Sequence, residues 1–247
     1  MSRIRLQLKK GPEVRFISHL DLARTMERAL RRARIPVALS QGFNPHPKIS
    51  FASALAVGTT SEAEFVDIEI EDRLDPAEFA HRLKDQLPPG LIVVEAREIS
   101  GGAPSLMAEI DAALYIIEVT GRFSAEELDR AIERFLARPE VRIHKETKSG
   151  PKEVDIRSLI LELSARSLPS PEKEGEAGNA LRAGISPRRA ELRALLRSGG
   201  RGSLRPEDLV RALGASEPDL GELEVKRIHR AGLFRAGPGG LVDPWNI

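Results

Sequence analysis

Cysteine is absent from all 247 residues. That excludes a disulfide framework, a thiolate metal site and a cysteine-held iron–sulfur cluster. Aromatic side chains make up only 4% of the chain, with one Trp and one Tyr, so a sheet of stacked aromatics of the RRM kind is not available. No apolar run approaches the ~20 residues of a membrane span. The opening MSRIRLQLKK alternates charged and apolar residues, unlike the apolar stretch of a secretory signal. Also missing are HExxH, GxGxxG after a strand, GxSxG and a phosphate loop ending in GK[ST]. Five scattered His without Cys make a poor zinc set. These absences leave a soluble protein, read as cytoplasmic, with no metal or cofactor of its own and a fold that rests on its core.

Net charge is also small, at +1, but it is unevenly laid out. Residues 1–50 carry eleven Lys/Arg against three Asp/Glu, and residues 51–100 carry four against eleven. A basic first half suits an anionic partner such as nucleic acid or phosphate. Pairing of the two halves across adjacent elements would produce the same pattern.

The periodicity predicts an α+β protein. Residues 3–9, IRLQLKK, alternate as a half-buried strand, ended by Gly11 and Pro12. Ser18 reads as an N-cap with Asp21 three residues on. Leu22, Met26, Leu30 and Ala33 then share one helical face, while Arg24, Arg28 and Arg31 share another. Pro36 ends this helix. Strands follow at 49–55 and 64–70, with Val66, Ile68 and Ile70 on one side and Asp67 and Glu69 on the other. A helix opened by Asp75-Pro76 and a strand at 91–98 complete strand, helix, strand, strand, helix, strand, the split βαβ order of a ferredoxin-like domain.

A similar order restarts after Gly101-Gly102-Ala103-Pro104. Strands are expected at 114–120, 141–145 and 157–164, a helix capped by Ser124 runs to about Ala137, and residues 191–197 read as strand or short helix. A helix from Arg205-Pro206 and a strand at 224–234 close the set. Arg15-Phe16-Ile17-Ser18 and Gly121-Arg122-Phe123-Ser124 lead into their helices in the same way. The expected organisation is therefore two tandem ferredoxin-like domains, at 1–100 and 113–235, with a linker at 101–112 and a tail at 236–247. The polar stretch 168–187, rich in Pro, Gly and Glu, reads as a long flexible loop in the second domain.

Chemistry-bearing residues concentrate between Arg15 and Ser53. His19 lies in the first turn of the helix, followed by the Arg stripe. The loop Ser40-Gln41-Gly42-Phe43-Asn44-Pro45-His46-Pro47-Lys48 is stiffened by two prolines, which hold Asn44 and His46 extended. Arg15, Ser18, His19, Arg24, Arg28, Arg31, Gln41, Gly42, Phe43, Asn44, His46 and Lys48 are thus candidate phosphate or nucleic-acid contacts. If His19 and His46 share a cleft, they suit acid–base cleavage of RNA without a metal. Taken singly, each has a plain reading: a capping-turn His, an exposed loop His, a solvated Arg face. In the second half, Lys148 to Arg157 mixes both charges around a turn. The glycine-rich segment 198–206, with Arg201 and Arg205, offers backbone N–H groups before a helix.

The runs RFISHLD and QGFNPHPKISFA, continued by EFVDIE, KEVDIR, LRPEDL and IHRAGLF, resemble a bacterial family known as radical SAM-linked, or radical SAM-associated, proteins. The resemblance covers nearly the whole chain. It implies association with a separately encoded radical SAM enzyme that carries a cobalamin-binding domain. With no CxxxCxxC here, any radical chemistry would belong to that partner. A looser likeness, of architecture alone, is to CRISPR repeat-processing endoribonucleases. Three functions stay open at this stage: a non-catalytic subunit that binds and presents RNA, such as tRNA or rRNA; a protein-docking module that touches no nucleic acid; and a metal-independent endoribonuclease.

Overall fold

A computed structural model describes residues 2–147, 150–169, 188–200 and 202–247. The chain divides into two compact units. Unit 1 comprises Met1–Ala113, Ser198–Arg201 and His229–Ile247, and unit 2 comprises Leu114–Arg197 and Gly202–Ile228.

Unit 1 is built on β1 (Ser2–Lys10), α1 (His19–Arg32), β2 (Ile49–Phe51), β3 (Thr60–Ile70), α2 (Pro76–Lys84) and β4 (Leu91–Ile99). β1 lies between β4 and β3, antiparallel to both, and β2 pairs antiparallel with β3. Register sets Ile4 opposite Ile68 and Leu6 opposite Val66, so one face of the sheet is continuously apolar. On that face pack Leu22, Met26, Ala29 and Leu30 of α1 with Phe79 and Leu83 of α2. The period of 3.6 in α1 and of 2 in the strands therefore meet in one core. Helix α1 begins where the Ser18 hydroxyl accepts the Asp21 N–H at 3.1 Å. It ends with Arg34 in the left-handed region at φ 53°, a place glycine usually fills, before Pro36.

The opposite face carries charge. Arg5 is buried in a two-bond pair with Asp67, at 2.8 and 3.2 Å. Lys48 meets Glu69 at 2.7 Å and Lys9 meets Glu62 at 3.1 Å. Much of the basic surplus of residues 1–50 is thus neutralised by the acidic stretch that follows it.

The segment expected as a tail belongs to unit 1 instead. Arg5 Nη1 also donates to the carbonyls of Pro244 and, at 3.0 Å, Ile247. The Trp245 ring meets Phe65 edge-on at 5.2 Å. Within unit 1, His229–Gly237 of the long strand β10 (Glu224–Gly237) runs parallel to β3 and turns back into β11 (Gly240–Val242). The expected linker is also structured. It holds the short α3 (Leu106–Glu109) and is tied down by Arg3 donating to the Ala103 carbonyl at 2.8 Å.

Unit 2 contains most of β5 (Ala112–Gly121), α4 (Ala125–Ala137), β6 (Arg142–Thr147), β7 (Gly150–Asp155), β8 (Ile160–Leu168), β9 (Arg188–Arg197) and α5 (Pro206–Ser216). Its sheet order is β10-β5-β9-β8, with β8 and β9 antiparallel, and β6 and β7 form a separate ribbon. Ser124 and Glu127 close a complete capping box on α4. The ribbon departs from a simple repeat of the first unit: the strand order after α4 is interrupted by a hairpin before β8. Residues 191–197 are strand. Of the expected loop at 168–187, residues 170–187 lie outside the described residues, as do Lys148, Ser149 and Arg201.

Candidate nucleic-acid interface

The start of α1 rests on buried charge. Moving along the apolar row of the unit 1 sheet, Leu8 faces Glu64, then Lys10 faces Ser61, and Ser61 in turn faces Arg230. Glu64 is 1% exposed and Arg230 0%. The Arg230 guanidinium donates from Nε to Glu64 Oε1 at 3.1 Å and from Nη2 to the same oxygen. It also reaches Ser53 Oγ at 3.4 Å and the Ala54 carbonyl at 3.2 Å. Lys10 Nζ donates to the carbonyls of Arg15 and Ile17 at 3.1 and 3.2 Å, fixing the turn that leads into α1. The sequence runs around Lys10, Arg15, Ser53, Glu64 and Arg230 thus converge in one anchoring cluster.

Burial is the main cause that holds the Lys10 ammonium below its ordinary 10.5; Glu64 opposes the shift and Arg230 adds to it. Folded Lys10 therefore loses its proton at lower pH than Lys10 in the unfolded chain. Within that window the unfolded state binds more protons, so stability rises with pH. The urea midpoint of the protein relative to Lys10→Met is expected to increase as the pH is raised through the alkaline range below 10.5. A falling difference would mean that Glu64 outweighs burial.

Above this anchor, the outer face of α1 is cationic. Arg24, Arg28 and Arg31 are exposed on it, against Asp21 and Glu27; Arg32, which donates to the Gln86 carbonyl, and Arg34, past the helix end, are exposed beside the stripe. Arg24 lies 3.8 Å from Asp21, whose carboxyl is held below its ordinary value chiefly by the Ser18 hydroxyl. The Arg15 guanidinium sits over the ring of Phe16, 4.6 Å from its centre, and Phe16 is 68% exposed. Unlike the strand cations, none of the three stripe residues Arg24, Arg28 and Arg31 pairs with the acidic stretch 62–72.

The proline-stiffened loop is held closed from within. Ser40 N–H donates to the His46 carbonyl at 2.9 Å, His46 N–H donates to Ser40 Oγ at 3.1 Å, and the imidazole Nδ1 lies 2.9 Å from that hydroxyl. Gly42 has φ 124°, which a side chain would strain. Phe43, beside it, projects fully into solvent. Gln41 and Asn44 are exposed as well. Where the loop enters β2, a groove of about 290 Å³ is lined by Arg3, His46, Lys48, Ser50, Asp67 and Glu69 among others.

The two candidate histidines do not come together. The His19 ring meets Phe51 edge-on at 5.1 Å, and Phe51 belongs to the core beneath the helices. His46 lines the groove with Ser50, the neighbour of Phe51, whose side chain points to the other face of the sheet. Arg205 is exposed in unit 2 as the residue before α5, and makes no side-chain capping bond. The cluster of Glu64 with Arg230, and the groove residues Arg3, Ser50, Asp67 and Glu69, were not singled out from sequence. Among the described residues, no group of three or more His, Asp and Glu is placed to hold a metal ion, and no helix is long and apolar enough to cross a membrane.

The profile of a family described as "Uncharacterized protein conserved in bacteria (DUF2344)" matches residues 3–206. No curated protein matches the chain. Among solved structures, it is similar to a chain in the crystal structure of a Cbf5-Nop10-Gar1 complex, with TM-score 0.50 and 9% identity over 93% of this chain and 48% of that one. A chain of the archaeal box H/ACA sRNP Nop10-Cbf5 complex gives TM-score 0.40 and 9% identity, covering 97% and 48%. The encapsulated DyP-type peroxidase from Mycobacterium smegmatis gives 0.23 and 9%, covering 92% and 90%. The chain spans about half the length of the first two, and the first likeness is one of fold.

Proposed function

The chain belongs to the DUF2344 family of conserved bacterial proteins, and from there we propose that it is a non-catalytic subunit that binds RNA and presents it to a separately encoded radical SAM enzyme. The scaffold is read as two related split βαβ units, of which the first carries the RNA. One observation supports this above the others: strand cations are neutralised by neighbouring carboxylates, while the Arg stripe of α1 is left facing solvent. A stripe built only for solubility would be expected to balance both signs; this one sets Arg24, Arg28 and Arg31 against Asp21 and Glu27, with Arg32 and Arg34 exposed just beyond it. Phosphates of a bound strand would be met by Arg24, Arg28 and Arg31, with Arg15 beside them.

The test is RNA binding against salt. Each phosphate contact on a single strand contributes about 0.7 to the slope of log affinity against log salt. Arg24→Ala with Arg28→Ala is expected to lower that slope by about 1.4 and to weaken binding at about 0.15 M salt roughly tenfold or more. An unchanged slope and affinity would overturn the reading. In that event the docking reading gains, since Phe16, Leu20 and Val57 are exposed apolar residues around the start of α1. No contact favours the ribonuclease reading, because His19 and His46 serve different faces of the sheet.

A further inference from the structure

We propose that the groove beside the proline-stiffened loop takes a single unpaired nucleotide of the bound RNA, an inference that rests on the RNA-binding reading. At about 290 Å³ the groove sits at the bottom of the small-molecule range, which begins at roughly 300 Å³. It has room for one base and sugar and not for two. Its walls lie on the face of the unit 1 sheet turned away from α1 and α2, where Arg3, Ser50, Asp67 and Glu69 alternate with core residues.

The chemistry of those walls suits a base edge better than a bare phosphate. Asp67 has both oxygens held by Arg5 and acts as a fixed wall. Glu69 is only half engaged: Oε2 takes Lys48 at 2.7 Å, while Oε1 lies 3.9 Å from Arg3 Nη2, beyond hydrogen-bond reach. A carboxylate oxygen there accepts a ring or exocyclic N–H, and the Lys48 ammonium beside it donates to an adjacent carbonyl. Arg3 and Lys48 are offset by Asp67 and Glu69, so the lining holds no surplus of positive charge for a phosphate, which favours the nucleoside part. Ser105 caps α3 without a side-chain bond, so its hydroxyl is available to a sugar. His46 is steered by Ser40 through Nδ1, which leaves Nε2 for the ligand. On the same loop, Phe43 offers an exposed ring to the neighbouring base. Duplex RNA cannot use such a groove, since its base edges are paired and stacked inside the helix.

The experiment compares single-stranded and duplex RNA of one sequence on the full chain and on two groove-filling variants, Ser50→Leu and Ser105→Leu. These leave charge unchanged and lie on different elements, so both are unlike a general unfolding change; Trp245 fluorescence confirms that each is folded. The expected result is a preference for the single strand, reduced about tenfold in both variants with the salt slope unaltered, as for the loss of one base contact. Addition of a free nucleoside is expected to compete with the single strand on the unaltered protein alone. RNA bound equally by folded variants and the unaltered protein overturns the groove and leaves the RNA-binding reading intact. Failure of the unaltered protein to bind any RNA overturns that reading itself.

Discussion

Replacing Arg230 with Met is expected to cost about 3–5 kcal/mol of stability, the range for removing one partner of a buried ion pair. Glu64 would keep its charge 1% exposed, with Lys10 as the remaining cation of the cluster. The Ser53 hydroxyl and the Ala54 carbonyl would lose their donor as well. Glu64 Oε2 already has no hydrogen-bond partner, so the carboxylate depends on the guanidinium through its other oxygen. Urea unfolding measures the loss directly. Adding Glu64→Leu to Arg230→Met should recover more than half of it, because an apolar replacement of both partners removes the unpaired charge. If the single variant unfolds at the same urea concentration as the parent, the cluster is not an anchor.

The second large effect is at Arg5. Arg5→Met strips Asp67 of both hydrogen bonds and leaves the carbonyls of Pro244 and Ile247 without that donor. A loss of about 3–5 kcal/mol is again expected. This variant differs from the first in what it releases. The sole Trp of the chain, Trp245, sits in the segment that Arg5 holds, against Phe65 and with Nε1 donating to Gln7 Oε1 at 3.3 Å. Its fluorescence should shift to the red in Arg5→Met under conditions where the rest of the chain remains folded. Arg97→Ala makes the control: its guanidinium lies 4.5 Å from the centre of the Trp245 ring, but an exposed cation–π contact contributes only about 0.5–1 kcal/mol. A larger shift for Arg97→Ala than for Arg5→Met would reverse this ranking of the two contacts.

Both residues show where sequence reading stops. The alternation that put Val66, Ile68 and Ile70 on one side of β3 also puts Glu64 there, an acid at the end of an apolar row. That oddity was visible. Its partner was not, because Arg230 lies 166 residues away and nothing local in IHRAGLF marks it as buried. Local chemistry was legible wherever the chain acts on itself. Ser18 caps α1, Asp75 caps α2 and Ser124 caps α4, as their spacing indicates.

Strand β6 was expected at 141–145 and is found at Arg142–Thr147, but its partner β7 was hidden, for the opposite reason. GPKEVD alternates no apolar residues, since both strands are stabilised by exposed pairs such as Arg142 with Glu153 at 3.2 Å. The proline loop and the Arg stripe were found, yet the groove was not. Its walls come from β1, β2, β3 and the start of α3, and each residue is an ordinary polar side chain until register places it opposite the others.

The pairing of Glu64 with Arg230 also sets a clock. At roughly 5–20 residues per second, about 10–30 s separates the synthesis of the two partners. For most of that interval, once β4 has followed β1 and β3, the nascent first sheet would hold Glu64 without its guanidinium. A chaperone that shelters this half-built sheet, or a pause in translation before IHRAGLF, would change the yield of folded protein without altering any property of the finished molecule.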